Sequence, residues 1–184
     1  LGSALEKQGL LQSLLIRMYR YAMKQEHTIF FQNAHGREFF IEKGIGKEEQ
    51  YYLLPGSGVN LDRFKLLPYP NNQPVKFFFI ARVLKEKGID EFLYVAKRFN
   101  EERKEAEFHV CGACEEAYDE ILKAADSKGI IQYHGLVKDM RTMYQEASCV
   151  VLPSFYPEGQ SNVLLEGAAS GRPLITTNHP GCRE

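Results

Sequence analysis

Residues Cys149–Thr177 read CVVLPSFYPEGQSNVLLEGAASGRPLITT, and the order of stops and starts in this stretch decides the fold. Cys149-Val150-Val151-Leu152 is an apolar run of strand length. Pro153 and Pro157 then end it, because proline can neither donate to a ladder nor continue a helix. Ser161 is placed to cap a helix that begins at Asn162, with Val163, Leu164, Leu165, Ala168 and Ala169 as its apolar face. Gly171 is suited to the left-handed residue that closes a helix, and Pro173 forbids continuation. Leu174-Ile175-Thr176-Thr177 is short and rich in β-branched residues. The unit reads strand, loop, helix, strand.

Two acids are set on this unit eight residues apart. Glu158 precedes the helix beside Gly159, a residue that allows backbone to approach a ligand, and Glu166 lies inside the helix. The amides of Ser161, Asn162 and Val163 at the helix N-terminus are expected to converge on negative charge, and a phosphate suits them. Carboxylates in contact with a phosphate would repel it, so the two acids are assigned to hydroxyl groups on either side. A ligand with sugar, diphosphate and ribose in that order satisfies the pattern.

Upstream, the same alternation repeats. Val75-Lys76-Phe77-Phe78-Phe79-Ile80 is nearly continuous in apolar residues, as a central parallel strand covered on both faces would be. Helical spacing follows through Ile89, Phe92, Leu93, Val95, Ala96 and Phe99. Glu107 to Cys111 reads as a second strand, Glu115 to Ser127 as a helix, Ile130 to Tyr133 as a third strand and Met140 to Ala147 as a helix. This order predicts βαβ units in a Rossmann-like, doubly wound parallel α/β sheet. Such sheets bind ligands beyond the carboxyl ends of their strands.

Composition narrows the function only coarsely. The chain has 184 residues, 44% hydrophobic and 26% charged, with 23 basic and 24 acidic residues and net charge −1. That balance argues against nucleic acid as a partner. No apolar run is long enough to cross a membrane, and the start lacks the order of a secretory signal, so the cytoplasm is the expected compartment. Cys111, Cys114, Cys149 and Cys182 match no disulfide framework. Cys111-Gly112-Ala113-Cys114 reads as a strand end and a glycine turn rather than a redox or zinc motif, and no metal site is expected.

The first 25 residues carry an amphipathic helical pattern. Leu10, Leu11, Leu14, Leu15, Met18, Tyr21 and Ala22 form the stripe expected to pack on a core, with Arg17, Arg20 and Lys24 elsewhere on the wheel. Those cations also permit peripheral contact with an anionic inner membrane face. His27 to Phe31 reads as a strand, Ala34 to Glu42 as a helix and Tyr51 to Leu54 as a strand, followed by the turn Pro55-Gly56-Ser57-Gly58. Leu66 to Pro74, with three prolines, reads as a linker. The expected division is 1–65, a linker at 66–74, and a ligand-binding domain at 75–184.

The run Glu158-Gly159-Gln160-Ser161-Asn162-Val163-Leu164-Leu165-Glu166-Gly167-Ala168, followed by Gly171-Arg172-Pro173, resembles the E-x7-E signature of retaining glycosyltransferases of the GT-B fold, in the large group often called family 4. Ala81-Arg82-Val83-Leu84-Lys85-Glu86-Lys87-Gly88 is similar to that family's G-R-x-x-x-x-K-G loop, with Ala81 standing where glycine is usual. The resemblance implies that 75–184 is the C-terminal, donor-binding domain and that 1–65 is the tail of the N-terminal, acceptor-binding domain with the interdomain connection. It further implies that Arg82 and Lys87 clamp the donor diphosphate, an Arg fork and a Lys point charge together suiting a leaving diphosphate. On the same basis Glu158 holds donor-sugar hydroxyls near the reacting carbon, Glu166 holds the ribose, Gly112 stands for the glycine-bearing turn, and Leu136 and Val137 belong to the loop that cups the base. Gly159, Gln160, Ser161, Asn162 and Val163 complete the donor site. His134, just before the base loop, reads as a strand-end histidine with a satisfied hydrogen bond.

The reaction implied moves a hexosyl group from a nucleotide diphosphate sugar to a saccharide or lipid-linked acceptor with retention. Asp-x-Asp, the usual metal-diphosphate motif of the competing glycosyltransferase fold, is absent, so fixed cations and the helix N-terminus are expected to carry the leaving charge without a metal cofactor. The run PGSGVNLDRF is similar to bacterial capsular and surface-polysaccharide transferases. Pro180-Gly181-Cys182-Arg183-Glu184 resembles a turn after which family members continue, so the donor half is expected to be unfinished and the chain to bind a nucleotide without transferring sugar. A dinucleotide Rossmann domain would want Gly-x-Gly-x-x-Gly after the strand ending at Ile80, which is lacking. A phosphorylase would want a pyridoxal-binding lysine motif. A GT-B nucleotide-sugar epimerase and a non-catalytic nucleotide-binding module stay open.

Overall fold

The computed structural model describes residues 5, 9–25, 28–71 and 74–184, with only the backbone of Glu116. They divide into two compact units. The larger comprises Val59–Phe155 and Asn162–Thr177, and the smaller Leu1–Gly58, Tyr156–Ser161 and Asn178–Glu184.

The larger unit is built on five strands: β3 (Val75–Ile80), β4 (Ala106–Cys111), β5 (Gln132–Gly135), β6 (Cys149–Leu152) and β7 (Leu174–Thr176). All pair in parallel, in the order β5-β4-β3-β6-β7. Four helices connect them: α3 (Ile89–Glu101), α4 (Glu116–Ser127), α5 (Met140–Glu146) and α6 (Asn162–Ala169). The Phe-rich β3 sits at the centre because both its faces are covered. Phe79, with Phe108 and Val110 of β4, packs under Ile89, Phe92 and Ala96 of α3 and Leu122 of α4. Phe78 and Ile80 face the other way, with Cys111, Val150 and Phe64, onto Tyr144 of α5. Alternate residues of one strand therefore serve two cores, the expected doubly wound arrangement.

Strand β5 starts two residues later than its apolar run suggests. The amide of Ile130 is committed to Ala125 O (3.0 Å) and that of Gly129, at φ +66°, to Asp126 O (2.8 Å), so both close the C-terminus of α4. At the other end of the unit, Gly171 takes φ +72° as expected and α6 ends before it.

The smaller unit contains α1 (Leu10–Ala22), β1 (Ile29–Phe31), α2 (Ala34–Glu42) and β2 (Tyr51–Leu53), with β1 and β2 parallel. The expected strand residue His27 lies outside the described residues, as do most residues of the expected helix before Leu10. Asn33 starts α2 by accepting from the Gly36 amide (2.9 Å). Ile29, Phe31, Phe40 and Ile45 form the core. The expectation for α1 is overturned. Leu10 (92% exposed), Leu11, Leu14, Met18 and Tyr21 face outward. Ile16, Tyr19 and Met23 pack instead, while Arg20 donates to the Lys43 carbonyl at the end of α2 (2.8 and 2.5 Å). Alternation shows that a helix has an apolar side but not which flank its neighbours reach. No described helix is long and apolar enough to cross a membrane.

Candidate functional site

In the larger unit the chain leaves β3 toward α3 on one face and leaves β6 toward α6 on the other. The two strands are neighbours, so their carboxyl ends flank the point where strand order reverses and a crevice opens. Arg82, Lys87, Gly112, Leu136, Val137, Asn162, Val163 and Glu166 all lie in this unit, in the loops leaving β3, β4 and β5 or on α6.

The loop after β3 is held on both sides. Toward β4, the amides of Ala81 and Val83 donate to Cys111 O (3.1 Å) and Ala113 O (2.8 Å), which carries parallel pairing past the strand ends and sets exposed Arg82 between two fixed residues. Gly112, at φ +151°, makes this approach possible, since a Cβ there would stand 1.8 Å from Ala81 O. Its amide donates in turn to Gly135 O (2.7 Å). Gly112 thus serves backbone against backbone. Toward β6, the 3-10 turn Lys85–Lys87 closes on Gly88 at φ +82°. The Glu86 carbonyl accepts from the Phe155 amide (2.8 Å) and the Ser154 hydroxyl (3.3 Å). Lys87, in the same turn, is buried. Leu136 is exposed, while Val137 packs against the α5-side core.

On α6, Glu166 meets a group that the spacing of the sequence did not mark. The Tyr144 hydroxyl of α5 lies 3.0 Å from Glu166 Oε2 and 3.2 Å from Val163 O. Burial holds the Glu166 carboxyl above its usual range, against the opposing pull of Tyr144's hydrogen bond and the Arg63 charge. Burial, reinforced by Glu166, likewise pushes the Tyr144 phenol far up. His134 is hydrogen bonded to His109 (Nε2 to Nδ1, 2.9 Å), as a strand-end histidine should be. Among the described residues no group of three or more His, Cys, Asp or Glu side chains is arranged to hold a metal ion.

Glu158, Gly159, Gln160 and Ser161 fall in the smaller unit. Asn33 Nδ2 donates to the carbonyls of Glu158 (2.8 Å) and Gly159 (2.6 Å), so one amide side chain fixes the backbone around the first acid. A Cβ on Gly159 would stand 1.8 Å from Gln32 Oε1. The Ser161 amide donates to Gly181 O (2.8 Å), so it is engaged within its own unit. Among the described residues Gln160 Oε1 is buried without a hydrogen-bond partner, and it packs on Gly56. Glu158 and Gly159 also line a cleft of about 640 Å³ within this unit, together with Gln32, Asn33, His35 and His179.

A family model described as Glycosyl transferases group 1 matches residues 74–184, more than half of the chain. The 2-deoxystreptamine N-acetyl-D-glucosaminyltransferase of Niallia circulans is 33% identical over 107 residues, 56% of this chain and 27% of its own length. Among solved structures, WaaG, a glycosyltransferase involved in lipopolysaccharide biosynthesis, matches with a TM-score of 0.73 at 20% identity, over 97% of this chain and 54% of that one. HepE of Anabaena, solved with UDP and glucose, matches with a TM-score of 0.73 at 14% identity, over 97% and 51%. At such identities the structural likeness is one of fold, that of GT-B glycosyltransferases. The chain spans from about a quarter to about half the length of these relatives.

Proposed function

Given that this chain belongs to the glycosyl transferases group 1 family, we propose that it carries the donor half of a glycosyltransferase that moves a hexosyl group from a nucleotide diphosphate sugar to a saccharide or lipid-linked acceptor, with retention. In this reading 75–184 binds the donor, 66–74 is the linker, and 1–65 is the tail of the acceptor domain with the interdomain connection. Arg82 and Lys87 neutralise the departing diphosphate, the first turn of α6 adds its dipole, and Glu166 takes the ribose hydroxyls. Glu158 takes hydroxyls of the donor sugar. No metal is required, because two cations and a helix N-terminus supply the charge that a metal would. Surface-polysaccharide synthesis at the cytoplasmic side of the membrane is the proposed setting.

The observation that carries this reading is the docking of the Lys87 turn onto the loop after β6, through Glu86 O and the Phe155 amide, at the reversal point of the parallel sheet. It puts a buried cation at the strand end that leads to α6 in a domain whose family match covers all these parts. A thermal-shift panel with UDP, GDP and ADP and their sugars is the test. One base is expected to raise Tm in the wild type, with the shift lost in Lys87→Ala through missing phosphate contact and in Glu166→Ala through missing ribose contact. A panel in which no nucleotide moves Tm, or in which both variants respond as the wild type does, overturns the proposal.

A further inference from the structure

Tyr144 is fully buried, yet its hydroxyl points out of the apolar cluster onto α6. The ring is held edge-on by Phe64 (5.9 Å between centroids) and lies against Gly167, where a Cβ would stand 3.7 Å from Tyr144 Cε1. Only the oxygen leaves the core, and it meets two groups of α6 one turn apart: the Val163 carbonyl and the Glu166 carboxylate. A core ring alone would need no hydroxyl here, and burying one costs free energy unless it is hydrogen bonded.

We propose that Tyr144 is a positioning residue for donor recognition: its hydroxyl fixes the Glu166 carboxylate and the first turn of α6 in one geometry, so that Glu166 presents its second oxygen to the ribose hydroxyl pair. This rests on the assignment of Glu166 to the ribose made above. Oε2 is occupied by Tyr144, which leaves Oε1 and the outer lone pairs of the carboxylate to accept from a vicinal diol. The same hydroxyl lies 3.2 Å from Val163 O, so the oxygen that meets the carboxylate is also seated against the backbone of the first turn of α6. Burial, which disfavours the ionised carboxyl, makes a donor at this position more necessary, since a proton on Glu166 would remove one acceptor from the diol.

Tyr144→Phe keeps the ring and removes only the oxygen, and thermal melting checks that the variant folds. The ribo, 2′-deoxy and 3′-deoxy forms of UDP, GDP and ADP are titrated calorimetrically against wild type, Y144F, E166Q and the double variant. The wild type is expected to prefer the ribo form by about tenfold, the size of a hydrogen bond to a charged group. Y144F is expected to lose most of that preference while keeping the affinity that comes from phosphate, and to add nothing on top of E166Q. A carboxyl-carbon NMR titration, which needs no nucleotide, is expected to place the Glu166 midpoint at higher pH in Y144F. If wild type and E166Q differ as expected but Y144F keeps both the ribose preference and the wild-type midpoint, this inference alone is overturned. If wild type binds ribo and deoxy forms alike, or binds none of them, the ribose assignment of Glu166 falls and takes the inference with it.

Discussion

The backbone oxygen of Glu86 accepts from the amide of Phe155 at 2.8 Å, across 69 residues of sequence. This bond ties the loop after β3 to the loop after β6. It depends on Gly88, whose φ of +82° turns the chain and whose missing side chain leaves room for Pro153.

Gly88→Ala should therefore be costly. The new Cβ would sit 2.3 Å from Pro153 O in a left-handed conformation, so both clash and backbone strain oppose it. The expected loss in urea unfolding is about 2 kcal/mol or more, accompanied by loss of any nucleotide-dependent Tm shift. A variant that unfolds within about 0.5 kcal/mol of wild type would show that the two loops are not braced in this way.

Glu166→Gln should stabilise the protein at neutral pH. Burial raises the folded carboxyl above its unfolded value, so the folded state binds more protons in the window between them. The associated stability is present below the unfolded pKa of about 4.3 and is lost as pH rises through the folded one. The Tm of E166Q should thus exceed that of wild type at pH 7, and the gap should narrow on acidification toward about pH 4. An equal gap at both pH values would contradict it.

His109 is expected to govern acid sensitivity with the opposite sign. It is stacked flat on Phe78 (4.3 Å), with Glu107 Oε2 3.2 Å from its Nε2 and His134 on its Nδ1. Burial lowers its pKa most, with His134 and Lys76 adding to this and Glu107 opposing it. The unfolded state then binds more protons below about pH 6.5, so stability is full above that pH and declines as the solution is acidified toward the folded value. His109→Phe, which keeps the flat ring against Phe78, should flatten the loss of Tm between about pH 7 and pH 5. Parallel curves for the two proteins would count against this.

Arg172 is 3% exposed, and among the described residues its Nε and Nη1 find no partner. Nη2 donates to Pro68 O (2.7 Å), and the guanidinium lies 5.9 Å from the Tyr69 ring centroid. Desolvation of a cation with two unmatched donors opposes folding, whereas the stem fills space. Arg172→Met should keep the packing and cost less than about 1 kcal/mol, or gain stability. Arg172→Ala should lose about 1–3 kcal/mol through the void. A Met variant as poor as the Ala variant in denaturant titration would show that the charge itself holds the segment around Pro68.

Strand and helix positions were largely legible from the chain alone, because local rules set them: prolines after Leu152, Gly171 beyond α6, an unbroken apolar run for the central β3. The doubly wound class followed from the alternation of strand and helix. What needed three dimensions was every choice among equivalents. The outward-facing leucines of α1 and the inward-facing Ile16, Tyr19 and Met23 belong to one helix with two apolar flanks, and only β1 and α2 select between them. Tyr144 carried no mark in the sequence, because a sequence does not say where a phenol's oxygen ends up. Ser161 looked like an anion donor until its amide was found on Gly181 O. Periodicity and breakers act over a few residues and can be read in order. Hydrogen-bond partners 19 to 126 residues away are set by the closed packing of each unit, and no local pattern carries them.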